Sequence, residues 1–160
     1  MVNTNKMIDI IDLPSSKTEH IDELVRLANE AQDFLKSQKW CKNIKRGQLD
    51  RGWGRIIAVF YFIMEPAYPE APQSIWVIVG DLPPAYIDVD DNPNGACAID
   101  AYVMEMQKWV DNVLQEKPID DLIPVNVPPK KKYANMLKSR LQLVREEILE
   151  NLEDELKACV

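Results

Sequence analysis

Carboxylate side chains are the most concentrated chemical groups in this sequence. Residues 81–121, the acidic segment, hold ten aspartates and glutamates but only two lysines, in a chain whose net charge is −7. Three of the acids, Asp88, Asp90 and Asp91, are almost consecutive, and hard divalent cations prefer such oxygen ligands. The spacing is not that of an EF-hand loop, because glycine is missing from the sixth position after Asp88 and glutamate from the twelfth. We therefore expect capping and solvation of these aspartates, with no metal ion and no cofactor.

The single histidine and the three cysteines form no catalytic motif. His20 lies in the predicted first turn of a helix, and the sequence suggests neither the nucleophile nor the orienting partner that a general base requires. Cys41, Cys97 and Cys159 are an odd number, lie far apart and form no CxxC pair. This pattern favours reduced thiols over a disulfide framework or a zinc site. Cys97 is expected on the polar side of its helix, and no residue is assigned a catalytic role.

Residues 36–55, the basic arm, carry seven lysines and arginines against one aspartate, and they also contain Trp40 and Trp53. Bases can stack on indole rings while cations contact phosphates, so this arm could bind nucleic acid. The chain as a whole is acidic, however, whereas nucleic-acid-binding domains usually have a basic balance. We therefore expect no nucleic-acid partner, and we predict that the basic arm pairs internally with the acidic segment.

The secondary-structure elements that the sequence predicts include the two strands of a hairpin. Residues 55–64 (RIIAVFYFIM) are apolar at both alternate sets of positions, which is typical of a central strand covered on both faces. Residues 74–79 (SIWVIV) predict a second strand, and the three prolines between the two predict an extended, stiff link. Residues 40–55 of the basic arm are interpreted as an irregular strand or hairpin arm, and residues 85–89 as a short edge strand.

Three segments have the periodicity of amphipathic helices. The first is predicted over residues 17–37, after a capping-box pattern at Ser16–Glu19. The second is predicted over residues 93–115, with Asn92 as the N-cap and proline at the first helical position. The third is predicted over residues 131–156.

Together these elements predict a single α+β domain over residues 1–160. Its small antiparallel sheet has a central hairpin and is flanked by three main helices. The first residues lack the basic and then apolar pattern of a signal peptide, and no apolar run approaches the roughly 18 residues of a membrane span. We therefore expect a cytoplasmic protein with no membrane partner. The sequence leaves the oligomeric state open.

Two segments carry a resemblance to other proteins. The sequence WVIVGDLPPAYI at Trp76–Ile87, followed by DDNPNG at residues 90–95, resembles a segment of small bacterial proteins of undefined function. The connector PVNVPP at residues 124–129 matches the same proteins, so the resemblance covers roughly residues 33–156, most of one domain. It implies no catalytic residue. In size and acidity the chain also resembles immunity proteins of bacterial toxin systems, including contact-dependent inhibition.

Two functions follow as hypotheses. In the first, the protein is a noncatalytic inhibitor that neutralises a basic protein partner, such as a toxin domain or nuclease, by electrostatic complementarity. The partner-binding residues would include Asp88, Asp90, Asp91, Asp100 and Asp111. In the second, it is a small enzyme or ligand-binding domain with a pocket near residues 80–94. The lack of a phosphate loop, a histidine cluster or a nucleophile motif favours the first hypothesis.

Overall fold

A five-stranded antiparallel sheet forms the centre of the computed structural model, which describes residues 2–159. The strands lie side by side in the order of the sequence. They are β1 (Ile8–Asp9), β2 (Cys41–Trp53), β3 (Ile57–Pro66), β4 (Ser74–Gly80) and β5 (Ala85–Ile87). The fold is therefore α+β, as predicted. The predicted hairpin is β3 and β4, and the predicted edge strand is β5. The basic arm contains β2, whose pairing with β3 shifts register at three points.

The apolar side chains of β3 and β4 alternate between two cores, one on each face of the sheet. Phe60 and Val77, which are paired across the two strands, belong to the core on one face. Tyr61 and Trp76, the next pair, belong to the core on the other face. Phe60 and Trp76 are both 0% exposed. The two-sided apolar pattern thus predicted correctly that both faces of the hairpin are covered.

Three long helices cover the sheet, and a fourth helix forms a single turn. They are α1 (Ile21–Lys36), α2 (Gly95–Leu114), α3 (Lys131–Glu147) and α4 (Glu153–Leu156). The buried side chains of α1 pack in the core that contains Phe60, whereas those of α2 and α3 pack in the core that contains Trp76. The sheet therefore lies between α1 on one side and α2 with α3 on the other.

Two helix starts differ from the predictions. The residue before α1 is His20, in the left-handed conformation (φ 58°) and without a side-chain cap, so the predicted capping box at Ser16–Glu19 is wrong. The Ser16 hydroxyl instead donates to the carbonyl oxygen of Leu13 (2.8 Å), at the end of a 3-10 turn. The N-cap of α2 is Asn94 and not Asn92, because the Asn94 side chain accepts a hydrogen bond from the Cys97 N–H (2.9 Å).

The predicted third helix is broken near its end. α3 stops at Glu147, Ile148 leaves helical geometry (φ −119°, ψ −62°), and a 3-10 turn at Leu149–Leu152 precedes α4. Ile148 and Leu149, at this break, are both buried. The residues beyond it lie beside the start of α2, where the Glu155 carbonyl oxygen accepts a hydrogen bond from Asn94 Nδ2.

Candidate functional site

The structure places the five predicted partner-binding residues in two groups. Asp88, Asp90 and Asp91 are exposed in the loop between β5 and α2. Asp100, which is half-buried, and Asp111, which is exposed, lie on α2 itself. Their separation of three helical turns puts these two on the same side of the helix, roughly 16 Å apart along its axis. The five residues therefore line the start and one side of α2.

Asp88 has a structural role in its loop. Its Oδ2 atom accepts a hydrogen bond from the Asp91 N–H (2.9 Å), and its carbonyl oxygen accepts one from Asn92 Nδ2 (3.1 Å). Local hydrogen bonds between side chains and backbone, such as these, set loop geometry. Asp91 and Asn92 therefore belong to the loop, and the prediction that they cap α2 is wrong. Asp90 and Asp91 can be changed without removing a carboxylate that shapes the loop, whereas Asp88 cannot.

Most carboxylates of the acidic segment have no cationic partner among residues 2–159. Asp81 pairs with Arg140 (3.2 Å) and Glu105 with Lys108 (2.9 Å). Among residues 2–159, no cationic group lies within 4.0 Å of the other eight, which are Asp88, Asp90, Asp91, Asp100, Asp111, Glu116, Asp120 and Asp121. In the same part of the chain no group of three or more metal-ligating side chains is arranged to hold a metal ion. The negative charge of this surface therefore remains available to a partner.

The basic arm pairs with acids from other parts of the chain, and the prediction that it pairs with the acidic segment is wrong. Arg46 contacts Asp9 of β1 (3.0 Å), and Lys42 contacts Glu65 of β3 (3.4 Å). The reason is the sheet order, since β2 lies between β1 and β3, and β3 and β4 separate it from β5. Much of the arm's charge is thus matched locally, which reduces the attraction of this surface for a polyanion.

Arg51 lies at the centre of a partly buried ionic cluster. Its Nε atom donates to Asp50 Oδ2 (2.6 Å), and its Nη1 and Nη2 atoms donate to the two Glu155 carboxylate oxygens (2.9 and 2.6 Å). Burial raises the pKa of Asp50 although Arg51 opposes the shift, whereas the hydrogen bonds from Arg51 lower the pKa of Glu155. Gly95 makes this arrangement possible, because a side chain there would collide with the Asp50 carboxylate. The cluster was not predicted from the sequence, because Arg51 and Glu155 are 104 residues apart.

Replacing Glu155 with glutamine should alter the dependence of stability on pH. A carboxyl group whose pKa is lowered on folding adds stability above its unfolded pKa, and this contribution is lost as the pH falls through the acidic range. Because the Glu155 side chain is 41% exposed, we expect the loss at pH 7 to be only a few tenths to about 1 kcal/mol. Urea unfolding between about pH 3 and pH 7 would measure it. Glu150→Gln, on an exposed residue, is the control, and a difference that persists unchanged at low pH would contradict the assignment.

A disulfide bond and a hydrogen bond link the C-terminal residues to the start of α2. Cys97 and Cys159 form a disulfide bond, with their Cα atoms 5.5 Å apart. The prediction of reduced thiols is therefore wrong for this pair, and Cys97 is buried rather than on a polar helix face. Asn94 Nδ2 also donates to the Glu155 carbonyl oxygen (3.0 Å). Cys41 is a free thiol, and partial burial raises its pKa.

Three adjoining cavities surround Pro84, and together they are called the Pro84 groove below. Their volumes are about 330, 280 and 260 Å³, and Pro84 lines all three. The largest lies between Gly80–Pro84, the connector and α3; the second lies between Tyr86, the connector and the end of α1; the third lies beside Glu30–Phe34 of α1. The groove therefore brings together the Trp76–Ile87 segment and the connector, the two segments that carried the resemblance.

A model of one protein family matches residues 23–153 of this chain. The family is described as a domain of unknown function, DUF4826. The match includes the acidic segment, the Pro84 groove and α3, but it stops before Glu155 and Cys159. No curated protein matches the chain, and no solved structure matches it.

Proposed function

This chain belongs to the DUF4826 family, a domain of unknown function, and we propose that the protein is a noncatalytic inhibitor that binds a basic protein partner. The binding surface is the acidic face, defined as Asp90, Asp91, Asp100 and Asp111 together with the Asp88 loop. The observation that carries the proposal is the set of eight carboxylates of the acidic segment without a cationic partner among residues 2–159.

Unpaired surface charge of one sign acts mainly on the encounter between two proteins. A negative face attracts a positive one, raises the association rate and disfavours partners with like charge. α2 also offers an apolar contact, because Met104 lies between Asp100 and Asp111 and is 56% exposed. A toxin domain or nuclease with a basic groove has the complementary charge. Neutralisation of such a toxin, as by an immunity protein, is therefore the specific form of this proposal.

Reversing three charges on the acidic face should slow association. In the variant Asp90→Lys/Asp91→Lys/Asp111→Lys each substitution changes the charge by two, while Asp88 is kept because it shapes the loop. The partner would be isolated by affinity capture from the native host, and the association rate of the purified proteins would be measured at low and moderate salt. We expect the rate at low salt to fall on the order of tenfold or more, and its salt dependence to weaken.

The control is a variant with the same change of net charge elsewhere on the surface. Asp12, Glu19 and Glu147 are exposed and lie outside the acidic segment, so Asp12→Lys/Glu19→Lys/Glu147→Lys should slow association much less. Circular dichroism would establish that both variants keep their secondary structure. Equal rates for the two variants would show that net charge alone matters, and would reject the acidic face as the binding surface.

The cytoplasmic location remains a prediction. Among residues 2–159 no helix is long and apolar enough to cross a membrane. Persistent disulfide bonds are typical of oxidising compartments, and Cys97–Cys159 is such a bond. Denaturing the host cells in the presence of a thiol-alkylating reagent, followed by mass spectrometry, would distinguish a cytoplasmic from an exported protein. Both cysteines should be labelled in a cytoplasmic protein and neither in an exported one.

A second candidate function is favoured by the largest cavity of the Pro84 groove. Small-molecule sites have volumes of about 300–1,000 Å³, and the cavity of about 330 Å³ between Gly80–Pro84 and α3 is at the lower limit of this range. The predicted pocket near residues 80–94 would then be this one. Saturable binding of a small metabolite that contacts Leu82 and Leu137 would support it.

A further inference from the structure

The walls of the Pro84 groove are largely apolar and partly exposed to solvent. Tyr86 is 38% exposed and Met136 is 43% exposed, and each lines one of the cavities. The Tyr86 ring is held by two aromatic neighbours, since its centroid lies 5.0 Å from that of Trp40 and 6.3 Å from that of Phe34. Rings in such contact lose little further freedom on binding, so this wall is preorganised to receive an apolar side chain.

The charged side chains that line the groove are mostly acidic. Glu30, Asp33 and Asp81 line its cavities, whereas Arg140 is the one cationic residue among the described lining residues. Glu30 is already paired with Arg26 (2.6 Å), and Asp81 with Arg140 (3.2 Å). Asp33 is exposed, and no cationic group of residues 2–159 lies within 4.0 Å of it. A ligand of this groove should therefore place a positive charge beside Asp33.

The shape of the groove suits an extended chain more than a single compact molecule. The three cavities have similar volumes, and each has room for one large side chain. Besides Pro84, the second cavity shares Asn126 with the first and Phe34 with the third. Extended segments present successive side chains at regular intervals and dock into grooves lined by aromatic residues and proline. A compact ligand would fill one cavity and leave the other two to water.

We propose that the Pro84 groove binds an extended segment of a protein, with apolar side chains in its cavities and a lysine or arginine beside Asp33. The proposal extends the proposed function, because a basic protein partner is the natural source of such a segment. The acidic face would then govern the encounter, whereas the Pro84 groove would hold the partner once it is bound.

The test uses the full chain and a phage-displayed library of random linear peptides as the probe. We expect selected peptides to combine aromatic or aliphatic residues with lysine or arginine. Asn126 lines two of the cavities and is exposed, so the variant Asn126→Trp should fill part of the groove. Because a blocked cavity can no longer bury one large apolar side chain of the peptide, binding of a selected peptide should weaken by about tenfold or more.

Asn135→Trp is the matched control, because Asn135 is exposed on α3 and is not among the residues that line the groove. It should leave peptide affinity unchanged. Asp33→Lys should weaken the binding of peptides that contain lysine or arginine, whereas Glu147→Lys, at the end of α3, should not.

The outcomes separate this inference from the proposed function. The variant Asp90→Lys/Asp91→Lys/Asp111→Lys leaves the groove intact, so it should slow association with the protein partner yet still bind the selected peptides. Selection of no peptide, selection of acidic peptides, or equal affinities for Asn126→Trp and Asn135→Trp would each overturn the inference. Binding of a small metabolite that excludes the peptides would overturn it as well, in favour of a small-molecule site.

Discussion

Replacing Phe60 with alanine should lower the free energy of unfolding by about 3 to 5 kcal/mol. Phe60 lies in the middle of β3, is 0% exposed and packs in the core covered by α1, with its ring centroid 6.3 Å from that of Phe62. The loss combines the apolar area returned to water with the cavity left in a core that relaxes only partly. Urea denaturation followed by circular dichroism would measure it from the shift in midpoint at constant slope.

Tyr68→Ala is the control for this experiment. Tyr68 is 50% exposed in the link between β3 and β4, so its removal takes away an aromatic ring without opening a buried cavity. We expect a change within about 0.5 kcal/mol, as for most surface substitutions. A loss below about 1 kcal/mol for Phe60→Ala would contradict the two-core arrangement of the sheet.

Removing the disulfide bond should be the second largest change, a loss of about 2 to 4 kcal/mol in the double variant Cys97→Ala/Cys159→Ala. The bond joins residues 62 positions apart, and cross-linking so long a loop restricts the unfolded chain strongly. The bond also holds the C-terminal segment where Glu155 meets Arg51. The oxidised wild-type protein should therefore unfold at a higher urea concentration than either the double variant or the wild type reduced with excess dithiol.

Cys41→Ala is the matched control, because Cys41 is a free thiol outside this loop. Its stability should differ little from that of the wild type, and reductant should destabilise it by the same amount as the wild type. Mass spectrometry of the purified, non-reduced protein should find the Cys97–Cys159 peptide pair. Two alkylated thiols in place of that pair, or identical stabilities with and without reductant, would contradict the assigned bond.

The candidate site was predictable only in part. The concentration of acids between residues 81 and 121 is visible in the sequence because charge depends on composition alone. The different roles of these acids are not visible in the sequence. Asp88 forms hydrogen bonds within its own loop, whereas the side chains of Asp90 and Asp91 are available to a partner. The ion pairs of the basic arm could not be predicted from the sequence either, because the order of the strands in the sheet determines which acids lie beside it.

Local caps were predicted poorly for a related reason. Asp91, Asn92 and Asn94 are all suitable N-cap residues within four positions, and intrinsic preference does not choose between them. Asn94 is the N-cap because its side chain also donates a hydrogen bond to the Glu155 carbonyl oxygen. This contact forms only when the C-terminal segment is in place. The packing of distant residues thus set the boundary of α2.

The class of the fold, the central hairpin and its neighbouring edge strand were predictable from the sequence alone. These follow from the apolar pattern of residues 55–64 and 74–79, because the period of side chains along a strand is a local property. The folded structure was needed to show that Cys97 bonds to Cys159, that Arg51 contacts Glu155, and that the Pro84 groove forms between two distant segments. Contacts of this kind join residues far apart in the sequence, and a local pattern of side chains does not encode them.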